Sequence, residues 1–440
     1  MSRHGAGSQT IRINVDSTTY IIEELRSPTP EPFPLDSPLV TSVMLSSWLL
    51  WGIYLAFRAS VLLHDHYDSS TKYYAWLLLL AEVFALLSPF LSKLDLSLYV
   101  LYGDKSRRRP KLCLVGDAAP TVDIFVTCCG EDVELVMDTV AAAASQDYPP
   151  HRYRVFVLDD KGSLPLKRAI EEYRSHAASA SPGPQIYYLC RKRTQQASDN
   201  FKAGNLQFGL QESAHLSYQS QFVAGLDADA IAERDWLRKS VPHLLLDAKL
   251  ALINSAQRSY NIAEDDIFEP GSAAQSDWTD AARDNIGAMS CYGSGYVMRR
   301  SSLNKIGGWP QVGLGEDIMC GWTLAGHGWK IASCPEHLLS DLAPWSMDAM
   351  IRQRDRWMDG DLNLAKRFRF FLPGMDPLTG RTSAQRLSSI IISIRLLTRS
   401  GLQVAIFGCH LVRVTLHSQT LFPNSPNLLR LALVIYLVQS

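Results

Sequence analysis

Gln221-Phe222-Val223-Ala224-Gly225-Leu226-Asp227-Ala228-Asp229 is a short, β-prone, largely apolar run that stops on two carboxylates. An apolar run of this length, bounded by a polar turn, fits a strand covered on both faces. The pattern repeats upstream. Val122 to Thr127 is followed by helical Val133 to Ser145, Tyr153 to Leu158 by Leu164 to Ser175, and Gln185 to Cys190 by Asn200 to Glu212. Downstream of the quoted strand comes helical Asp235 to Leu246. Strands alternating with helices predict an α/β domain with a mostly parallel sheet, whose ligands bind at the carboxyl ends of the strands. Asp159-Asp160 and Asp227-Ala228-Asp229 stand at two such ends. No GxGxxG follows the first strand, so hydride transfer from a dinucleotide has no support.

The chain has 440 residues, 47 % of them hydrophobic and 20 % charged, enough for one large core with attachments. Its 43 basic and 44 acidic residues give a formal net charge of −1, which offers no electrostatic case for a nucleic-acid partner. The eight cysteines form no CxxC pair and no disulfide ladder, and read as reduced thiols.

Apolar segments frame the α/β region. Leu39 to Leu63 is nearly continuous, with Arg58 its only charge, and is long enough to cross a bilayer core of roughly 30 Å; Tyr74 to Leu91 follows with Glu82 alone. The expectation is two transmembrane helices within residues 39–97, after a disordered tail over 1–38. The basic cluster Lys105-Ser106-Arg107-Arg108-Arg109-Pro110-Lys111 puts the following domain, 98–349, on the cytosolic side of a multi-pass protein. Residues 350–375, rich in Arg, Lys, Trp and Phe, predict an interfacial amphipathic helix, and 376–440 predict further membrane helices.

Each motif admits a chemical reading and a structural one. Asp227 and Asp229 can hold a small hard cation, Mg²⁺ or Mn²⁺, or cap a turn. Asp159 can accept hydrogen bonds from a nucleobase or ribose, or cap its own turn. Lys202, in Lys202-Ala203-Gly204-Asn205, can face phosphates or solvent. Of Glu316-Asp317, one carboxylate can take a proton from a hydroxyl, while both would also suit the first turn of a helix. Gln353, Arg356 and Trp357 share a helix face; an arginine pairs with diphosphate and an indole offers a flat surface to a sugar, while both also anchor membrane interfaces.

Taken in this order, DD, KAGN, DxD, ED and QxxRW make the chain from about Thr121 to Arg367 resemble the cellulose synthase, hyaluronan synthase and chitin synthase group of membrane-embedded family 2 glycosyltransferases. The resemblance implies a GT-A-type domain, a nucleotide-sugar donor, most simply a UDP-sugar, a divalent metal, and inversion at the anomeric carbon. It implies nucleoside contacts at Asp159 and Glu131, phosphate contact at Lys202, and metal and diphosphate contacts at Asp227 and Asp229. It further implies a catalytic base at Asp317, diphosphate contacts at Gln353 and Arg356, and acceptor contacts at Glu316 and Trp357. Cys291-Tyr292-Gly293-Ser294-Gly295-Tyr296 resembles the loop on the acceptor side.

Two departures stand out. Gly315 occupies a position where the group often has threonine. After QxxRW the sequence offers room for one or two helices, fewer than a polymer channel needs. The expectation is therefore transfer of one or a few sugars to a lipid-like, membrane-associated acceptor. A processive glycan synthase, completed by a homo-oligomer or another chain, is the enzymatic alternative, and a catalytically inactive membrane scaffold is the alternative of another class.

Overall fold

The computed structural model of the chain describes residues 9–25, 38–64, 109–180, 183–191, 200–216, 218–262 and 279–369, with isolated positions in 72–97 and 378–394. The chain divides into two compact units. One comprises Met1–Pro30, Ser106–Leu364 and Asp376–Gln385, and the other comprises Glu31–Lys105, Ala365–Met375 and Arg386–Ser440.

The first unit is built on the expected alternation: β4 (Val122–Cys128), α2 (Val133–Ala144), β5 (Tyr153–Asp159), α3 (Leu164–Ala180), β6 (Gln185–Leu189), α4 (Phe201–Ala214) and β7 (Phe222–Asp227). Then follow β8 (Ile231–Ala232), α5 (Trp236–Leu246), β9 (Leu250–Ser259), α6 (Ala281–Asn285), β10 (Tyr296–Arg299), α7 (Arg300–Lys305), α8 (Glu316–Gly326), β11 (Lys330–Asp341) and α9 (Met347–Arg367). The eight strands form one sheet in the order β6-β5-β4-β7-β10-β9-β11-β8.

This sheet is mixed, which corrects the expectation of a mostly parallel one. β6, β5, β4 and β7 are parallel neighbours and so are β9 and β11, whereas β10 runs antiparallel to both β7 and β9, and β8 antiparallel to β11. A parallel pair needs a crossover of a dozen or more residues. The first four strands have such helical crossovers, and β10 does not reach β7 through one.

The alternation of side chains along each strand builds a core on each face. Val122, Ile124 and Val126 of β4, with Val155 and Val157 of β5, pack with Val136 and Val140 of α2 and Trp236 of α5. Phe125, Phe156 and Leu158 point the other way, to Leu206 of α4, Leu303 of α7 and Leu324 of α8. At β7 the close approach of Tyr296 leaves no room for a side chain: a Cβ on Gly225 would lie 2.2 Å from the tyrosine ring.

At the amino ends of β4 and β5 the interior holds charge. Arg154 binds Asp123 through two bonds of 2.7 and 2.9 Å, and Arg300 adds a third of 2.6 Å. Ser220 completes the carboxylate at 2.8 Å, and all three ionic side chains are buried. One anion thus serves two guanidiniums with little access to water.

The tail expected over 1–38 is corrected in part. β1 (Gln9–Val15) and β2 (Thr18–Leu25) form a hairpin that adds β3 (Lys111–Val115) as a third antiparallel strand. Ile22, Leu112 and Leu114 of this small sheet are buried in the core beside α5. The alternation of Ile11, Ile13 and Val15 with polar residues supplies the strand pattern, but the partner that makes it stable lies some ninety residues downstream.

In the second unit, α1 (Pro38–His64) is long and apolar enough over Thr41–His64 to cross a membrane, with Leu45, Leu49, Ile53 and Leu63 exposed. The second expected span, Tyr74 to Leu91, falls largely outside the described residues, as do the C-terminal membrane helices. The helix expected over 350–375 is α9, Met347–Arg367, and 370–375 are outside the described residues.

Replacing Asp123 with Asn should leave two buried guanidiniums without an anion and cost about 3–5 kcal/mol. Thermal unfolding of the purified chain should register this as a large drop in midpoint, and a drop within about 0.5 kcal/mol of zero would contradict the arrangement.

Candidate active site

Three segments bring their charges together at the carboxyl end of β7. Asp227 ends the strand; its Oδ1 accepts a hydrogen bond from Thr127 at 3.3 Å, and its backbone N–H donates to Ser294 Oγ at 3.0 Å. Lys202, in the first turn of α4, makes an ion pair with the same Oδ1 and donates to the Gly293 carbonyl at 2.9 Å. Burial works against the ammonium, but Asp227, Glu316 and then Asp317 more than offset it, so Lys202 holds its proton above its ordinary range. The lysine is therefore the shared counter-ion of three carboxylates.

The position of Lys202 is set from β5. Asp160 binds Arg191 in a two-pronged pair at 2.5 and 2.8 Å, and Arg191 donates to the Phe201 carbonyl at 2.9 Å, where α4 begins. Asn200 precedes the helix without capping it through its side chain; its amide donates to Gln311 at 3.2 Å. Asn200 and Phe201 both have positive φ, 47° and 43°. Asparagine tolerates that region, whereas phenylalanine adopts it at a steric cost.

Glu316 and Asp317 open α8, as the helix-terminus reading expected. Gly315 caps the helix at φ 79°, a left-handed conformation that favours glycine. Asp317 Oδ1 accepts from the Ile318 N–H at 2.8 Å, and a Cβ on Gly293 would stand 2.8 Å from its Oδ2. Burial and the charge of Asp317 raise Glu316 to about 7, and burial foremost also raises Asp317. Burial and then Asp227 raise Asp229 to about 6. These are carboxylates held close together where water screens them poorly.

α9 reaches this site through its backbone. A Cβ on Gly360 would lie 3.3 Å from the Gly315 nitrogen, and one on Gly315 would lie 2.8 Å from Leu364 Cδ1. Gln353, Trp357, Gly360 and Leu364 follow at i, i+4, i+7 and i+11, one stripe of the helix. Along it, Gln353 is half-buried and Trp357 is 58 % exposed, with Arg356 exposed beside it.

Asp159 caps its own turn, the structural alternative for this residue. It is fully buried, and its carboxylate accepts from the N–H of Lys161 at 2.8 Å, the N–H of Ser163 at 2.6 Å and the Tyr188 hydroxyl at 2.8 Å. With three donors engaged, it organises the loop after β5. Glu131, in the exposed loop after β4, accepts from the Cys129 N–H at 2.5 Å. The two loops touch, because the Lys161 side chain lies where a Cβ on Gly130 would be.

Residues the sequence reading did not assign also shape the site. Thr127 stands opposite Asp227 in the β4–β7 register. Ser294, between Gly293 and Gly295, holds the Asp227 N–H; the Gly-Ser-Gly spelling was the available signal. The seven described cysteines are free, as expected, although Cys129 and Cys190 are exposed; Cys409 lies outside the described residues. Among the described residues no three His, Cys, Asp or Glu side chains gather as a ready metal cluster. Asp227 and Asp229 are hard oxygen donors two residues apart, and burial first and Asp227 second disfavour a bare negative charge at Asp229, which a cation would offset, so the pair suits Mg²⁺ or Mn²⁺ with further oxygens from a ligand.

Comparison with known proteins identifies the family and the fold. The family model described as "Glycosyltransferase like family 2" matches residues 119–360. The chain is 27 % identical over 333 residues to cellulose synthase 2 of Novacetimonas hansenii, covering 74 % of this chain and 19 % of that protein. It is 28 % identical over 287 residues to glucomannan 4-beta-mannosyltransferase 9 of Arabidopsis thaliana, covering 62 % of this chain and 52 % of that one. The chain thus spans about a fifth to a half of these relatives' lengths. Among solved structures, the mannosyltransferase PcManGT from Pyrobaculum calidifontis, in complex with GDP-Man and Mn²⁺, superposes with a TM-score of 0.52 at 16 % identity. That match covers 81 % of this chain and 96 % of that one, a likeness of GT-A-type fold.

Restoring threonine at Gly315 should harm the protein. The left-handed backbone costs a β-branched residue about 1–2 kcal/mol, and its side chain meets Leu364. Gly315→Thr should lower both the unfolding temperature and the turnover number; wild-type values for both would show that this turn is free to change conformation.

Glu316 also makes stability depend on pH. Its carboxyl is raised in the folded chain from 4.5 to about 7, so its contribution is fully present below pH 4.5, declines as pH rises, and is lost above about 7. The decline is on the order of 3 kcal/mol. Glu316→Gln should flatten the dependence of the unfolding midpoint across that window, and an unchanged slope would contradict the assignment.

Proposed function

Because the chain belongs to glycosyltransferase family 2, we propose that it transfers a sugar from a nucleotide-sugar donor, most simply a UDP-sugar, to an acceptor hydroxyl with inversion at the anomeric carbon. The observation that carries this reading is the convergence of Lys202, Asp227, Glu316 and Asp317 from three separate segments.

In this reading Asp317 takes the proton of the acceptor hydroxyl as its oxygen attacks the anomeric carbon. The bond to the diphosphate breaks on the opposite side, and its electron pair leaves with the phosphate oxygen. Lys202 and Arg356 counter that growing charge, Gln353 adds a hydrogen bond, and Glu316 stands beside the acceptor hydroxyl. Asp227 and Asp229 would hold Mg²⁺ or Mn²⁺, which supplies further neutralisation of the diphosphate when bound. Asp159 acts on the nucleoside through the loop it organises, with Glu131 on the facing loop. Trp357 presents its exposed ring to the acceptor sugar.

The apolar surface of α1 supports a membrane-anchored enzyme with a membrane-associated acceptor. A second reading, stepwise extension of a glycan, is favoured by the relatives named as cellulose synthases and a glucomannan mannosyltransferase. Sizing the product separates the two: a ladder or high polymer marks extension, and a single addition marks the first reading.

Purified chain given UDP-glucose, UDP-N-acetylglucosamine or GDP-mannose with Mn²⁺ should release nucleoside diphosphate. Asp317→Asn should lower kcat by about 10²–10⁴-fold while retaining donor binding. Full turnover in that variant would remove Asp317 from the base role.

A further inference from the structure

Lys202 and a divalent cation have a claim on the same carboxylate. The ammonium pairs with Asp227 Oδ1, which Thr127 also approaches, and it is held from the other side by the Gly293 carbonyl at 2.9 Å. An ammonium already paired with a carboxylate lowers the negative charge it offers to a second cation and repels a divalent ion placed close by. A metal that takes Asp227 therefore weakens the lysine's hold on it and favours the lysine's release.

The lysine has somewhere to go. It sits on a flexible four-carbon stem, keeps about a quarter of its side chain in solvent, and faces Glu316 and Asp317 as well as Asp227. A diphosphate arriving with the metal offers it a stronger anionic partner than the single carboxylate it gives up. The Gly293 carbonyl and Thr127 keep the site shaped while that exchange occurs.

Resting on the donor and metal assignment above, we propose that Lys202 is a built-in competitor of the divalent cation at Asp227, so that metal capture depends on the donor diphosphate. Metal alone pays for displacing the lysine, whereas metal with diphosphate does so with a new partner for the ammonium. The site thereby disfavours a bare cation and favours a metal–donor complex.

The test is Mn²⁺ affinity of the full chain, read by the electron paramagnetic resonance of free Mn²⁺, without and with UDP or GDP. Lys202→Met should bind Mn²⁺ alone about tenfold more tightly than wild type. Lys202→Arg, which keeps the cation, should stay within about threefold of wild type. Added UDP or GDP should tighten Mn²⁺ binding more in wild type than in Lys202→Met. Unfolding temperatures verify that each variant is folded, and Lys202→Gln, which also removes the charge, carries the comparison if the methionine variant is not. An Mn²⁺ affinity equal to or weaker than wild type in Lys202→Met, with Asp227→Asn abolishing binding, overturns the competition alone. Mn²⁺ binding that survives Asp227→Asn overturns the metal assignment and the competition with it.

Discussion

One ammonium among three carboxylates is the constraint on which the site depends. Asp227, Glu316 and Asp317 come from segments far apart in sequence, and burial alone would drive them to take up protons or move apart. Lys202 permits them to stay close: it is bonded to Asp227 and lies within electrostatic reach of the other two. Its charge does not cancel theirs. Glu316 is still raised to about 7, so the cluster remains under electrostatic stress that cationic or proton-bearing partners relieve. The stress is local because β7, α4 and α8 are fixed by cores on both faces of the sheet.

The opposite end of the strands inverts this arrangement. There Asp123 alone serves Arg154 and Arg300, so a single anion holds two cations. Asp123 and Thr127 are four residues apart on β4, about 13 Å along an extended strand. One end of the sheet thus locks β4, β5 and α7 with a closed, fully buried ion cluster. The other leaves charge partly open to ligands, in keeping with the placement of sites at the carboxyl ends of parallel strands. Rigidity at the first end gives the second its fixed geometry.

Much of this was legible in the sequence, and the exceptions have physical causes. The alternation from Val122 to Leu246 and the order of the charged motifs stood out because strand and helix periodicities are local signals. The β1–β2 hairpin did not, because it is stabilised by β3, across the whole of α1 and its neighbouring segment. The antiparallel course of β10 was hidden for a similar reason, since a four-residue strand carries no mark of its direction. Asp159 shows the limit for single residues. A carboxylate after a strand reads alike whether it meets a ligand or protein donors, and only the folded geometry shows Asp159 accepting from two N–H groups of its own loop and from the Tyr188 hydroxyl of β6.

Gly315 shows the converse, a residue whose spelling looked like a loss and whose conformation explains it. Against the more usual threonine it removes a hydroxyl, yet at φ 79° it lets the chain turn into α8 with little strain. The same turn meets Gly360, where a Cβ would lie 3.3 Å from both the Gly315 nitrogen and Leu314 Cβ. Such a contact has little tolerance, because part of what each glycine meets is backbone, which cannot shift alone. Gly360 lies one helical turn beyond Trp357 and four residues beyond Arg356, while Gly315 directly precedes Glu316 and Asp317. The groups proposed to meet diphosphate and acceptor are therefore indexed to the proposed base by backbone contact, so that α8 and the first four turns of α9 act as one rigid part of the site.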